Sequence, residues 1–185
     1  MCGILACFGS KIDMPKHIAK LKARGPEGTR VLEGDRYQLG FTRLAINGLT
    51  DEGMQPMESE NTIWMCNGEI YNAHDLSEVF NIPLKTGSDC EIIGKLFESN
   101  RSTFVSQLHG VFATIVIDKV ANMAIVARDP YGVRPLFYVE SFFSLVFASE
   151  VKAIPPNLGK IKAFPPGCLM TVSYTHLTLP TILRV

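Results

Sequence analysis

The chain has 185 residues, 46% of them hydrophobic and 15 of them glycine, enough to enclose one substantial core in a single domain. Its 18 basic and 18 acidic residues cancel, and no basic run or arginine stripe appears, which excludes the electrostatic footprint of a nucleic-acid or anionic-membrane binder. The 5 cysteines make an odd count with no CxxC pair, against both a zinc knuckle and a complete disulfide framework, and no apolar run approaches the roughly 20 residues of a membrane span. The expectation is a soluble, unsecreted, cytoplasmic protein whose partner is a small molecule or another protein.

Met1-Cys2-Gly3-Ile4 places a thiol one peptide bond from the start, where removal of Met1 makes Cys2 the N-terminus. Such a residue carries a thiol of pKa about 8.5 and an α-amine of about 7.7 on one carbon, a nucleophile with its own neighbouring base. Taken alone, Cys2 reads equally as a small buried residue. Gly3 to Phe8 is the pattern of a buried strand, which would hold the thiol at the rim of a sheet. Asp13 is a cap for a short helix with Ile18 and Leu21 on one face, ended by Gly25 and Pro26. Tyr37 to Ile46 reads as strand, loop and strand around Arg43, Gly48 to Met57 as an irregular loop, and Thr62 to Cys66 as the next strand.

Asn67-Gly68 is a turn signal, followed by a helix from near Asn72 with Leu76, Val79 and Phe80 on one face. Ser88 and Glu91 have capping-box spacing ahead of an apolar stripe of Ile92, Ile93, Leu96 and Phe97, which puts Asp89 in the first turn of a helix. A third helix is expected around Thr103 to Leu108. Val111 to Ile117, Met123 to Ala127, Leu136 to Val139 and Phe142 to Ala148 then read as an antiparallel meander. One early strand, paired helices and a run of strands predict an α+β fold of helical and antiparallel layers. His17, His74 and His109 are scattered without ligand spacing, so no metal site is expected. The segment 172–185 resembles foreign read-through sequence; the domain is therefore expected over residues 1–171, and loss of the tail is expected to cost no stability.

In order along the chain, Met1-Cys2-Gly3-Ile4, Arg24-Gly25-Pro26-Glu27, Arg43-Leu44-Ala45-Ile46, Gln55-Pro56-Met57, Asn67-Gly68-Glu69-Ile70-Tyr71-Asn72 and Thr86-Gly87-Ser88-Asp89-Cys90-Glu91 form a series. It continues through Leu108-His109-Gly110-Val111-Phe112-Ala113, Arg128-Asp129-Pro130-Tyr131-Gly132-Val133-Arg134-Pro135-Leu136 and Phe147-Ala148-Ser149-Glu150-Val151-Lys152-Ala153-Ile154. The series, from Met1 to about Gly167, resembles the N-terminal glutaminase (class II glutamine amidotransferase) domain of glutamine-hydrolysing asparagine synthetases.

The resemblance implies a four-layer αββα sandwich of the N-terminal-nucleophile hydrolase type, acting on glutamine. It implies Cys2 as nucleophile, Asn67 and Gly68 as the oxyanion hole, Arg43 on the substrate carboxylate, and Asp89 and Glu69 near its ammonium. It implies no cofactor for this domain; ATP and magnesium belong to a synthetase domain or subunit, and no Ser-Gly-Gly-type pyrophosphate loop follows Gly167. Ala23, Glu27 and Phe41 depart from the family pattern, where histidine, aspartate and histidine are usual, and local loop geometry is where the effect is expected. The competing readings are a glutamine-binding remnant without activity and the glutaminase domain of another class II amidotransferase, such as the phosphoribosyl-pyrophosphate enzyme. Glu69-Ile70-Tyr71 and Thr86-Gly87-Ser88-Asp89 favour the asparagine synthetase branch.

Overall fold

The computed structural model describes residues 1–101, 103–174 and 181–184. In chain order the regular elements are β1 (Gly3–Gly9), α1 (Met14–Ile18), β2 (Gly28–Glu33), β3 (Tyr37–Arg43), β4 (Met57–Glu58), β5 (Thr62–Ile70), α2 (Ala73–Val79) and α3 (Glu91–Ser99). They are followed by β6 (Gly110–Asp118), β7 (Met123–Arg128), β8 (Phe137–Glu140), β9 (Ser144–Ala148), β10 (Lys162–Ala163), β11 (Cys168–Ser173) and β12 (Thr181–Arg184). The strands form two six-stranded antiparallel sheets, ordered β10-β8-β9-β1-β3-β2 and β12-β11-β7-β6-β5-β4.

Strand alternation sorts the side chains into three apolar layers. In β1, Ile4, Ala6 and Phe8 face the second sheet, and in β5 Ile63 and Met65 face the first, so these residues build the inter-sheet core. The opposite face of β1, with Leu5 and Cys7, receives Met14 and Ile18 of α1 and Leu21 of the turn that follows. The opposite face of β5, with Trp64 and Cys66, receives Ile92, Ile93, Leu96 and Phe97 of α3 and Leu76 of α2. This is the expected αββα sandwich. Asp13 caps α1 as expected, its carboxylate accepting from Lys16 N–H at 3.2 Å.

Several local expectations change. The strand expected over 62–66 runs through Asn67 and Gly68 to Ile70, because an unbroken ladder to β6, from Thr62↔Asp118 to Ile70↔Gly110, overrides the turn preference of Asn-Gly. Helix α3 begins at Glu91, after Asp89, and the expected capping box does not form: the Glu91 carboxylate accepts from Lys85 N–H, Thr86 N–H and the Thr86 hydroxyl, each at 2.8 Å. Val79 of α2 points outward, 75% exposed, while Leu76 is buried. In place of the third helix there is a single 3-10 turn over Val105–Gln107. β2 and β10, both largely exposed sheet edges, and β11 were not anticipated.

The boundary expected after residue 171 falls inside β11. Val172 and Tyr174 are buried in the inter-sheet core, where Tyr174 stacks on Phe8 at 6.0 Å and meets Tyr37 edge-on at 5.8 Å. β12 pairs with β11, so the segment assigned no partner strand has one; residues 175–180 and 185 lie outside the described part. Among the described residues no helix is long and apolar enough to cross a membrane.

Candidate active site

The inward-facing register of β1, β3 and β5 is apolar along the sandwich and turns polar at one end. Continuing Phe8, Ala6, Ile4 by two residues gives Cys2; continuing Leu39, Phe41 gives Arg43; continuing Ile63, Met65 gives Asn67 and then Glu69. β1 and β3 pair Gly3 with Thr42, which brings Cys2 beside Arg43. These four residues, with Gly68 of β5 and Asp89 from the segment before α3, line one pocket: all six residues selected from sequence converge.

The free edge of β5 explains how backbone enters the site. In antiparallel pairs, alternate residues turn their N–H groups to opposite neighbours. Phe112, opposite Gly68, turns its backbone to β7 and Asp129: its carbonyl accepts from Asp129 N–H at 2.8 Å. Gly68 therefore faces away from β6, as do Cys66 and Ile70. On this edge Cys66 N–H donates to Gln55 Oε1 at 2.6 Å, and Ile70 N–H donates to Asp89 Oδ2 at 2.6 Å. Between them the Gly68 N–H meets no acceptor among the described residues. A Cβ at Gly68 would lie 2.3 Å from the Val111 carbonyl oxygen, so only glycine allows this close approach to β6. The Asn67 side chain, 1% exposed, has its Nδ2 buried without a hydrogen-bond partner. Donors from two consecutive residues thus sit at the pocket, and the buried one, Asn67 Nδ2, is costly unless an acceptor arrives.

Arg43 is 8% exposed, and its Nη2 donates to the carbonyls of Gly48 and, at 2.8 Å, Thr50, which folds the 47–54 loop around the guanidinium. Asp89 is held from both sides, by Ile70 N–H and by Asn47 Nδ2 at 3.2 Å. Glu69 is paired with Arg134 Nη2 at 3.4 Å. Arg134 is delivered by a loop that the buried Asp129 organises, its carboxylate accepting from the N–H groups of Tyr131, Val133 and Arg134 at 3.1, 2.9 and 3.1 Å. The pocket thus gathers the Arg43 guanidinium, the Asp89 carboxylate, the Glu69–Arg134 pair, a thiol and two donors.

Cys2 Sγ lies 3.4 Å from both the N–H and the carbonyl oxygen of Leu44. Burial pushes the Cys2 thiol up from its ordinary pKa, and the Leu44 hydrogen bond opposes that shift. Cys90, also at the pocket, is pushed well above the usual thiol range by its hydrogen bond with Cys66 and by burial, and burial takes Cys7 to about 12. Of the five thiols only Cys2 is more than marginally exposed.

Five residues quoted within motifs but given no role also shape the site. Arg24 Nε donates to the Cys2 carbonyl at 2.8 Å while its Nη1 pairs with Glu150 at 3.1 Å, fixing the backbone that carries the thiol. Gly25 permits this loop, since a Cβ there would lie 2.3 Å from the Thr42 backbone. Glu27 reaches Ala45 N–H at 2.9 Å, so the departure from the family's aspartate still anchors the segment after Arg43. The others are Gln55 and Arg134, both at the pocket. Among the described residues no group of His, Cys, Asp and Glu is arranged to hold a metal ion.

The fold is similar to that of the glutamine phosphoribosylpyrophosphate amidotransferase of B. subtilis, with a TM-score of 0.80 over 99% of this chain and 49% of that one at 20% identity. A probable glutamine-hydrolysing asparagine synthetase of Acanthamoeba polyphaga mimivirus is 40% identical over 187 residues, covering 93% of this chain and 34% of the relative. One from Dictyostelium discoideum is 40% identical over 181 residues, 90% of this chain and 32% of the relative. The chain thus spans about a third of the length of these curated relatives. The profile of the glutamine amidotransferase domain matches residues 1–179. With the sandwich, the thiol at its rim and this match in agreement, the chain belongs to the class II glutamine amidotransferase domain family.

Proposed function

We propose that the chain hydrolyses glutamine to glutamate and ammonia through Cys2, as the ammonia-supplying part of a glutamine-dependent asparagine synthetase. Once Met1 is removed, the α-amine of Cys2 accepts the thiol proton as Sγ attacks the side-chain amide carbon. The carbonyl oxygen becomes an oxyanion that accepts from Asn67 Nδ2 and Gly68 N–H. The proton passes to the leaving nitrogen, ammonia departs, and water resolves the thioester, again through an oxyanion, to glutamate and free thiol. Arg43 grips the α-carboxylate, and Asp89, with Glu69 behind it, receives the α-ammonium.

The observation that carries this reading is the buried, unpartnered Asn67 Nδ2 in the pocket that holds Cys2. The large majority of buried side-chain amides are hydrogen-bonded, so an asparagine at 1% exposure with an unpaired Nδ2 inside this pocket fits a donor held for a substrate oxygen. In the longer protein the ammonia would meet aspartate activated with ATP and magnesium, by residues outside this chain. The test is ammonia release from glutamine by the processed chain, lost in Cys2→Ala, with no asparagine formed when aspartate, ATP and magnesium are added. Activity that survives Cys2→Ala, or asparagine made by the pure chain, would contradict it.

A further inference from the structure

The short strand β4 ends where the site begins. Its ladder with β5 pairs Met57 with Trp64 and Glu58 with Ile63, and continuing that register places residue 55 opposite Cys66. The backbone does not continue: Pro56 has no N–H to give, and the chain turns away into the 47–54 loop. Gln55 instead turns its side chain into the vacated ladder position, and Oε1 accepts from Cys66 N–H at 2.6 Å as a strand carbonyl would. Gln55 is 5% exposed, and it lines the pocket together with Cys90, whose Sγ lies 3.8 Å from the Gly68 carbonyl oxygen. One amide therefore holds the backbone of the residue before Asn67.

We infer that Gln55 is a positioning residue of the glutaminase site: its side chain replaces the missing edge strand at Cys66 and so sets the backbone that presents Asn67 and Gly68 to the substrate carbonyl. The inference rests on the reading of those two donors as the oxyanion hole. Beyond Cys66, β5 has no strand on this side among the described residues, and its edge is fixed by two side-chain acceptors, Gln55 below Gly68 and Asp89 above it. Asp89 is open to a competing partner, since the substrate ammonium is to bind it. Gln55 is buried and has no such competitor, so the placement of the donors depends chiefly on it.

The experiment compares the processed full chain with Gln55→Met, which keeps length and removes the acceptor, Gln55→Asn, which keeps the amide and retracts it, and Gln55→Glu, which restores an acceptor at full reach. Both Gln55→Met and Gln55→Asn are expected to lower kcat for glutamine by about 10², the scale of an ångström-sized misplacement, with KM changed less than about threefold. Gln55→Glu is expected to recover most of kcat. Hydrogen exchange is the readout independent of turnover: the Cys66 amide loses protection in Gln55→Met and Gln55→Asn and keeps it in Gln55→Glu. Should Gln55→Met not fold, Gln55→Asn carries both readouts. Unchanged kcat in these two variants, in a protein whose hydrolysis depends on Cys2, overturns the role of Gln55 and leaves the glutaminase reading intact. If the parent chain shows no Cys2-dependent hydrolysis, the glutaminase reading falls, and unchanged protection at Cys66 would then overturn the Gln55 contact itself.

Discussion

The inter-sheet layer has two ends built from the same strands in the same register, and they are finished in opposite ways. At one end Phe8, Tyr37 and Tyr174 close the layer with ring contacts at 6.0 and 5.8 Å, and burial raises the Tyr174 hydroxyl to about 12. At the other, about 20 Å away along β1, the register ends in Cys2, Arg43, Asn67 and Glu69, and an amide nitrogen is left buried without a partner. The closed end is finished by aromatic packing. At the open end the unpaired Asn67 Nδ2 lies in the place where a ligand would repair it. The molecule thus keeps its stability and its chemistry at opposite ends of one layer, and variants at the two ends should separate the two properties.

The largest effect is expected at the closed end. Tyr174→Ala should cost about 3–5 kcal/mol, as large aromatic truncations do in cores, and lower the melting temperature by on the order of 10 °C. Ammonia release per folded molecule should not change; a parallel loss of turnover would show that the two ends are not independent. Ending the chain after residue 171 should lower the melting temperature too, since it removes Val172 and Tyr174 whatever the origin of the segment.

Next comes the open end. Asn67→Ala should lower kcat by about 10²–10³, equivalent to about 2.7–4 kcal/mol, with little change in melting temperature, because no hydrogen bond is lost. Arg43→Ala should mainly raise the KM for glutamine, by about ten- to a hundredfold, the value of charge-assisted hydrogen bonds held in ground and transition state alike. A loss confined to kcat would move Arg43 away from the carboxylate.

The smallest effect concerns the anchor of Cys2. Lys152, and then Arg24, hold the Glu150 carboxyl below its usual range. A depressed folded pKa contributes stability above the unfolded value and loses it as pH falls through the folded one. The melting temperatures of the parent and Glu150→Gln should therefore differ most near neutral pH and converge on acidification. A difference that widens in acid would contradict the pairing.

What was readable in the sequence follows the same division. The buried strands announced themselves because both of their faces are apolar, as in Leu5 against Ala6 on β1. β2 did not, because it is a sheet edge whose Thr29, Arg30 and Val31 are all exposed and carry no alternation. Asn67-Gly68 read as a turn because local preference is visible in sequence and the ladder to β6 is not. The Ser88–Glu91 capping box failed for a related reason, as the carboxylate found three donors in the preceding loop instead. Of the site, Cys2, Arg43, Asn67, Gly68, Glu69 and Asp89 were carried by the ordered resemblance. Gln55 was quoted with Pro56 and Met57, yet its role depends on the register of a two-residue strand, which no periodicity reveals. Arg24 and Arg134 act through contacts 126 and 65 residues distant in sequence, with Glu150 and Glu69 respectively, beyond any local pattern.

The central claim is that Cys2, as a free N-terminal residue, is the nucleophile at the open end of the sandwich. The most direct measurement is intact mass and peptide mapping after reaction with a glutamine-like electrophile. The account predicts an active fraction lacking Met1 and carrying one label, on Cys2, while Cys7, Cys66, Cys90 and Cys168, all buried, stay unmodified. Retained Met1 in the active fraction, or activity lost with label on Cys90 and none on Cys2, would contradict it.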